Sequence, residues 1–345
     1  MVSIKGKTVL VTGGTGSIGS VIVKNALKKG AMKVIMFSRD EIKQFIMRQR
    51  ITDERLISYV GDIRDIESIR KVFEEYSINI VFHAAAMKHL VVCEDEPLEC
   101  AKTNIIGTEN LIRLCKQYKV SHVVGISTDK AASPTNVMGA SKFIAERIVL
   151  NAAKNSNGVF TCVRFGNVAN SRGSVIPNMV RRALDGNDIW ISEPEVTRFI
   201  MRIEDAVELV MSTLDHAHGG ELFILKMKAF RLGDLSRVME TDILPILTKK
   251  KLKIRRTKLV QGEKLHEDLL NEEDCKNLYE NESMYLIPPS CMDTVNIKKK
   301  YPNFKKASTV QYSSNTVELM TWKEMQTIIQ QHLADEYGIR GVIRE

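Results

Sequence analysis

Residues 8–19, Thr8-Val-Leu-Val-Thr-Gly-Gly-Thr-Gly-Ser-Ile-Gly19, decide the fold. The run at 8–12 has the apolar, β-branched character of a short buried strand, and helical spacing follows from Ile18 to Lys29. Between them stand Gly13, Gly16 and Gly19. In a strand–turn–helix context such glycines permit a tight turn, let the backbone approach a pyrophosphate and aim helix N–H groups at its charge. Gly13, Thr15, Gly16, Ser17, Ile18 and Gly19 are therefore expected to cradle a dinucleotide.

The same pattern recurs further along. Strands are predicted at 34–37, 56–60, 80–82, 122–126 and 159–165. Helices are predicted to about 49, over 66–76, in a longer run ending near 118, and near 137–153. Nearly continuous apolar strands alternating with helices pair in parallel through right-handed crossovers. The chain thus reads as α/β, a Rossmann-type doubly wound parallel sheet with a smaller C-terminal substrate-binding domain. After Gly173 the alternation weakens, with strands expected at 189–191 and 222–225 and helices at 203–216 and 321–333. Residues 1–172 plus about 200–224 are assigned to the dinucleotide-binding domain. About 173–199 plus 225–345 are assigned to the substrate-binding domain and tail.

Composition limits the function classes. The 345 residues are 44% hydrophobic and 27% charged, which supports a sizeable core and argues against a disordered chain. Lys and Arg total 50 against 42 Asp and Glu, a formal charge of +8 that favours anionic partners such as nucleotide phosphates. The longest stretch without acidic or basic residues, 8–23, is glycine-rich and shorter than the about 20 apolar residues of a membrane span. With no secretory pattern at the N-terminus, a cytoplasmic protein with no membrane partner is expected. The six cysteines make no Cys-x-x-Cys pair and read as small buried hydrophobes. No metal is expected, because the seven histidines lack ligand spacing. Basic clusters at 249–253 and 298–300 lack interleaved aromatics, so no nucleic-acid partner is expected.

Ser38-Arg39 closes the second strand, where a free ribose 2′-hydroxyl usually meets an acidic residue. A hydroxyl and a guanidinium suit a 2′-phosphate, with Lys43 one turn later adding charge, so the expected cofactor is NADP. Asp62 and Ile63 follow the third strand, where a carboxylate can accept the adenine amino group. Ala84, Ala85 and Ala86 follow the fourth, where small side chains leave room for the dinucleotide. Ser127-Thr-Asp-Lys130 ends the fifth strand, and Met138-Gly-Ala-Ser-Lys142 opens the next helix. Met138 and Lys142, four apart, share a helical face.

Those stretches, with FSRDE, GDIRD, FHAAAMKH, KTNIIGTEN, RFGNVANSRGSVIP, TRFIM and GEKLHEDLL, resemble the extended short-chain dehydrogenase/reductases. Within them the chain is similar to the inverting UDP-N-acetylglucosamine 4,6-dehydratases, from residue 8 to about 270. The resemblance implies C4 oxidation of UDP-N-acetylglucosamine, loss of water across C5 and C6, hydride return to C6, and C5 epimerisation. The product would be UDP-2-acetamido-2,6-dideoxy-L-arabino-hexos-4-ulose. It implies Asp129 as acid at C6, Lys130 as base at C5, Thr128 bonded to the C4 hydroxyl and Lys142 on the nicotinamide ribose. Lys88 and Asn104 join the cofactor set. Asn167, Gly173, Ser174, Val175, Pro177, Arg198 and Glu263, with Lys88, fall on the substrate side. Two departures stand out. Met138 replaces the family's tyrosine and has no transferable proton. Val260 replaces an arginine, so Arg256 or Lys258 is expected at the diphosphate. Lys130 is expected to have a lowered pKa, as a neutral amine base requires, and to take the C4 proton as well. A homo-oligomer, dimer or hexamer, is expected. A UDP-sugar 4-epimerase or reductase, and a noncatalytic NADP-binding interaction protein, are the competing readings.

Overall fold

The computed structural model describes residues 3–308 and 311–340. It begins with β1 (Thr8–Thr12), α1 (Ser17–Lys28), β2 (Lys33–Ser38), α2 (Glu41–Arg50), β3 (Leu56–Val60), α3 (Ile66–Glu75) and β4 (Ile80–His83). Every residue of β1 and β4 is buried, as expected when helices cover both faces of a parallel sheet. β3 lies at the sheet edge, so Leu56 is buried while Val60 faces solvent. Asp40 and Asp65 start α2 and α3 by accepting backbone N–H bonds from Lys43 and Glu67, which satisfies donors a helix start leaves free.

The sequence predicts one long helix after β4, and here the structure differs. It contains α4 (Leu90–Asp95), α5 (Pro97–Ala101), a π-helical turn at Lys102–Ile106, and α6 (Gly107–Gln117). Pro97 has no N–H to donate, so it ends α4 and takes the first position of α5. Next come β5 (His122–Thr128), α7 (Val137–Ala152), β6 (Val159–Phe165), β7 (Asn167–Val168), α8 (Val175–Leu184), β8 (Ile189–Ile191) and β9 (Thr197–Met201). They are followed by α9 (Ile203–Ser212), β10 (Leu222–Leu225), β11 (Lys228–Arg231), α10 (Leu232–Val238), α11 (Leu244–Leu247), β12 (Ile254–Arg256) and β13 (Asp268–Leu270). The last elements are α12 (Glu272–Lys276), β14 (Tyr279–Glu280), β15 (Met284–Ile287), α13 (Thr294–Lys300), β16 (Lys305–Lys306), β17 (Tyr312–Ser313) and α14 (Trp322–Tyr337).

Among the described residues the large sheet has ten strands, of which β3-β2-β1-β4-β5-β6-β10 run parallel in that order. The order reverses between β1 and β4, and a crevice opens there beyond the strands' carboxyl ends. β15 then adds antiparallel to β10, followed by β14 and β16. The boundary drawn at 225 is thereby changed: residues 279–306, assigned from sequence to the substrate domain, extend the large sheet. Leu269, Leu278, Leu286 and Tyr301 also pack into its core. A separate core gathers α8, α10 and α14 around Met179, Val180, Val238 and Ile329. Four cysteines are buried, but Cys291 is exposed, unlike the sequence reading. Among the described residues no helix is long and apolar enough to cross a membrane, and no cluster of His, Cys, Asp or Glu can hold a metal.

Candidate active site

A cleft of about 860 Å³ runs from the β1–α1 turn, past the ends of β4 and β5, to β8, β9 and β11. The turn is built by contact. Gly13 has φ +67°, and a Cβ on it would lie 2.7 Å from the Ala85 nitrogen and 2.8 Å from the Ala84 carbonyl. A Cβ on Gly19 would meet the Gly13 oxygen at 2.2 Å, so the helix sits directly on the turn. Gly16 precedes α1 with no side-chain cap, leaving the helix's first N–H groups facing the cleft with Ser17, Ile18 and Gly19. This is a cradle for the pyrophosphate of a dinucleotide. Ala84 and Ala86 line the cleft, while Ala85 and buried Thr15 back it.

Arg39 and Lys43 line the neighbouring end. Arg39 lies 3.7 Å from Asp62, whose carboxylate also accepts from Arg64 at 2.6 and 2.8 Å. Burial opposes the charge on Asp62, but the two guanidiniums hold its pKa below the ordinary value. Asp40, which follows Arg39, is engaged at the α2 N-terminus with Lys43. Ser38 accepts from Gln44, which fixes the end of β2. Ile63 packs on Gly107, away from the cleft.

Asn104, expected on the cofactor, is a structural tie. Its Oδ1 accepts from Met87 N at 2.8 Å and its Nδ2 donates to Met87 O at 3.1 Å and Ser141 Oγ at 2.9 Å. It thus joins the strand-end loop to α7 from a buried position. Lys88 lines the cleft and donates to Arg172 O at 2.7 Å. Arg172, which sequence reasoning missed, donates its backbone N–H to Ser17 Oγ at 3.1 Å and bonds Thr15 O with its side chain. These contacts draw the loop after β7 over the glycine turn.

Thr128, Lys130, Met138 and Lys142 meet in the middle of the cleft. Asn136 caps α7 by accepting from Gly139 N, and its amide holds Gly262 O at 2.9 Å. Met138 is buried and packs with Cys93 and Cys100, so the tyrosine position is filled by an apolar group. Lys142 is buried and donates to Ile126 O at 2.6 Å; burial pulls its pKa below the ordinary value. His83 bridges Thr12 and Thr108, and burial lowers it to about 3, so it is neutral.

Lys130 overturns the expectation of a lowered pKa. Its Nζ lies 3.2 Å from Asp129 Oδ1 and 3.4 Å from Glu267 Oε1. Burial alone favours the neutral amine, but the two carboxylates outweigh it and raise the pKa. Asp129 is itself buried and accepts from Thr128 Oγ1 at 2.6 Å and Lys130 N at 2.9 Å. Glu267 was not singled out from sequence, although it stands within GEKLHEDLL. It arrives because Arg164, fully buried, bonds Glu146 and Asp274 at 2.7 Å each and Leu269 O at 2.9 Å. Ser127 donates to the same Glu146 at 2.8 Å, and Asn271 bonds Ala132 O at 2.8 Å. This network fixes β13 against the end of β5.

On the substrate side, Asn167, Gly173, Ser174, Val175, Arg198 and Glu263 line the cleft. Among the described residues the buried Ser174 Oγ has no hydrogen-bond partner, and it stands at the N-terminus of α8. Arg198 gives one nitrogen to Glu263 at 2.7 Å and Lys264 O at 2.8 Å, the other to Thr197 O and Leu265 O, so it clamps the 263–265 loop. Pro177 sits in the first turn of α8 outside the lining. Arg256 and Lys258 are exposed and also lie outside it, because β12 pairs alongside β8 while β8 supplies Trp190 and Ile191 to the wall. The expectation that they meet the diphosphate is not met here.

Sheet, glycine turn and lysine-bearing α7 together define a chain of the short-chain dehydrogenase/reductase type. The polysaccharide biosynthesis protein family matches residues 9–289, and the chain belongs to that family. It is 38% identical over 290 residues to a UDP-N-acetylglucosamine 4,6-dehydratase (inverting) of Campylobacter jejuni, covering 83% of this chain and 84% of that one. It is 35% identical over 331 residues to a UDP-glucose 4-epimerase of Rickettsia rickettsii, covering 94% and 95%. The X-ray structure of Pen from Bacillus thuringiensis superposes with TM-score 0.87 at 37% identity, covering 96% of this chain and all 100% of that one.

Proposed function

We propose that the chain is a nucleotide-sugar dehydratase, a UDP-N-acetylglucosamine 4,6-dehydratase with C5 epimerisation that uses NADP. The observation that carries this reading is the Asp129–Lys130 pair at the mouth of β5, a buried carboxylate 3.2 Å from an amine that lines the cleft. A 4-epimerase needs no acid at C6 and no base at C5. The C. jejuni relative supports the substrate class, and the R. rickettsii relative supports the 4-epimerase alternative.

The glycine turn and α1 would hold the cofactor's pyrophosphate, Arg39 and Lys43 its 2′-phosphate, and Lys142 the nicotinamide ribose. The bound nicotinamide would supply the hydride chemistry at sugar C4 and C6. The remaining work is proton transfer by side chains. Thr128 orients the C4 hydroxyl toward Asp129 and Lys130, and the C4 ketone acidifies the C5 hydrogen for Lys130. Asp129, once protonated, gives its proton to the departing C6 hydroxyl. Proton return to C5 from the opposite face gives the L-configured product. Met138 takes no part in proton transfer and closes an apolar wall. The helix start at Ser174 suits the diphosphate.

The test is turnover of UDP-N-acetylglucosamine with catalytic NADP in heavy water. The expected product has lost one water and carries deuterium at C5. An unchanged mass with an inverted C4 would establish the epimerase reading instead, and recovered substrate would refute both.

A further inference from the structure

With methionine at position 138, the site must remove two protons from the sugar, from the C4 hydroxyl and then from C5. Of the two amines in the middle of the cleft, Lys142 donates to Ile126 O at 2.6 Å and is assigned to the nicotinamide ribose, which leaves Lys130, whose ammonium form is favoured by the carboxylates of Asp129 and Glu267 at 3.2 and 3.4 Å. Resting on the function proposed above, we infer that Glu267 is the proton acceptor that frees Lys130 to act as base at C5, replacing the missing tyrosine as a second proton store. The geometry is specific. Glu267 Oε1 is 3.4 Å from Lys130 Nζ; Lys130 lines the cavity, while Glu267 and Asp129 both stand behind that lining, Asp129 next to Lys130 in the chain and Glu267 on the segment before β13. Its side chain is 3% exposed. Its backbone is pinned at both ends, with N–H donating to Ser314 Oγ at 2.9 Å and C=O accepting from Ser314 N at 2.8 Å.

The groups facing its carboxylate are Lys130 and Asp129 from the end of β5, Arg198 from β9 and Lys264 from its own loop. Burial drives Glu267 toward its neutral form, and Asp129 adds to that, while the three cations oppose it. A buried carboxyl biased this way is suited to store a proton briefly.

The transfers balance. The resting trio carries one proton, on Lys130. Lys130 hands its proton to Asp129 as it takes the C4 hydroxyl proton, which arms Asp129 as the acid for C6. It then passes a proton to Glu267: an N–H bond breaks, an O–H bond forms, and ammonium plus carboxylate become amine plus carboxylic acid. The amine removes the C5 proton, and Asp129 protonates the leaving hydroxyl to give water. Reprotonation of C5 takes one proton from the site overall, and return of the Glu267 proton to Lys130 restores the starting ion pair. Glu267 touches no reacting atom and works through Lys130.

Glu267→Gln and Glu267→Asp in the full chain test this, each first checked by thermal melting. Without substrate, NMR titration of lysine-labelled protein, with Lys130 assigned from Lys130→Arg, should show the Lys130 pKa falling by about 1 unit or more in Glu267→Gln. In turnover, Glu267→Gln should lose roughly 100-fold in kcat near pH 7 while KM and NADP affinity stay within about threefold. That loss should shrink as pH rises past the lowered Lys130 pKa, where the amine is neutral without help. Glu267→Asp should recover part of kcat. An unmoved Lys130 pKa, or a loss equal at every pH, overturns the relay. If the wild type turned over a different nucleotide sugar, the substrate reading would fail while the titration still decided the role of Glu267.

Discussion

Replacing Lys130 by alanine is expected to lower kcat by roughly 1,000-fold or more, at the strong end of general-base effects, with NADP affinity held within about threefold. The two halves of this expectation separate because the side chains sit differently. Lys130 lies half-buried between Asp129 and Glu267 at the end of β5, whereas the cofactor cradle is made of the β1–α1 turn, the alanines after β4 and the cations at 39 and 43. Removing the ammonium leaves the buried carboxylates of Asp129 and Glu267 without their shared cation, and neither can supply an amine to C5. Steady-state kinetics beside a fluorescence titration of NADP checks both halves. Full turnover in this variant would remove Lys130 from the chemistry.

The largest stability effect is expected at Arg164. Arg164→Met should destabilise the fold by about 3–5 kcal/mol, the usual result of breaking a buried charge cluster from one side. Its guanidinium is fully buried between Glu146 and Asp274, and burial alone would lower its pKa, yet the two carboxylates raise it and keep it charged. Without it two carboxylates remain buried and unpaired. Adding Glu146→Gln and Asp274→Asn removes those charges while keeping an acceptor for Ser127 and for Asn271 N, and should restore most of the loss. Denaturant unfolding of the three proteins measures this. A single-variant loss below about 1 kcal/mol, an ordinary surface effect, would show that the cluster does not hold β13 against β5.

The parallel half of the fold was legible because its signals are local. The glycine turn lies within a few residues of the strand and helix it joins, and each later strand is an apolar run next to a periodic helix. β14 and β16 carried no such signal: each is only two residues long, Tyr-Glu and Lys-Lys, and they form because β15 offers its edge to β14 and β14 offers its own to β16. Pro97 was visible in the sequence, and its effect on the helix before Tyr118 follows from proline's missing N–H. At the site, the residue types at 128–130, 138 and 142 were readable from spacing. The protonation of Lys130 was only half readable: Asp129 beside it was visible, but the second carboxylate, Glu267, stands just before β13, which Arg164 holds in place. Asn104 illustrates the same limit, since a polar residue in a cofactor-side motif bonds Met87 and Ser141 instead.

The most direct test of the account is a structure of the protein with NADP and UDP-N-acetylglucosamine bound. Lys130 Nζ is expected within about 3–3.5 Å of sugar C5, the separation of a reacting pair, with Asp129 beside the C6 hydroxyl. A pyranose seated elsewhere in the cleft, with C5 remote from Nζ and Asp129 turned from C6, would contradict it.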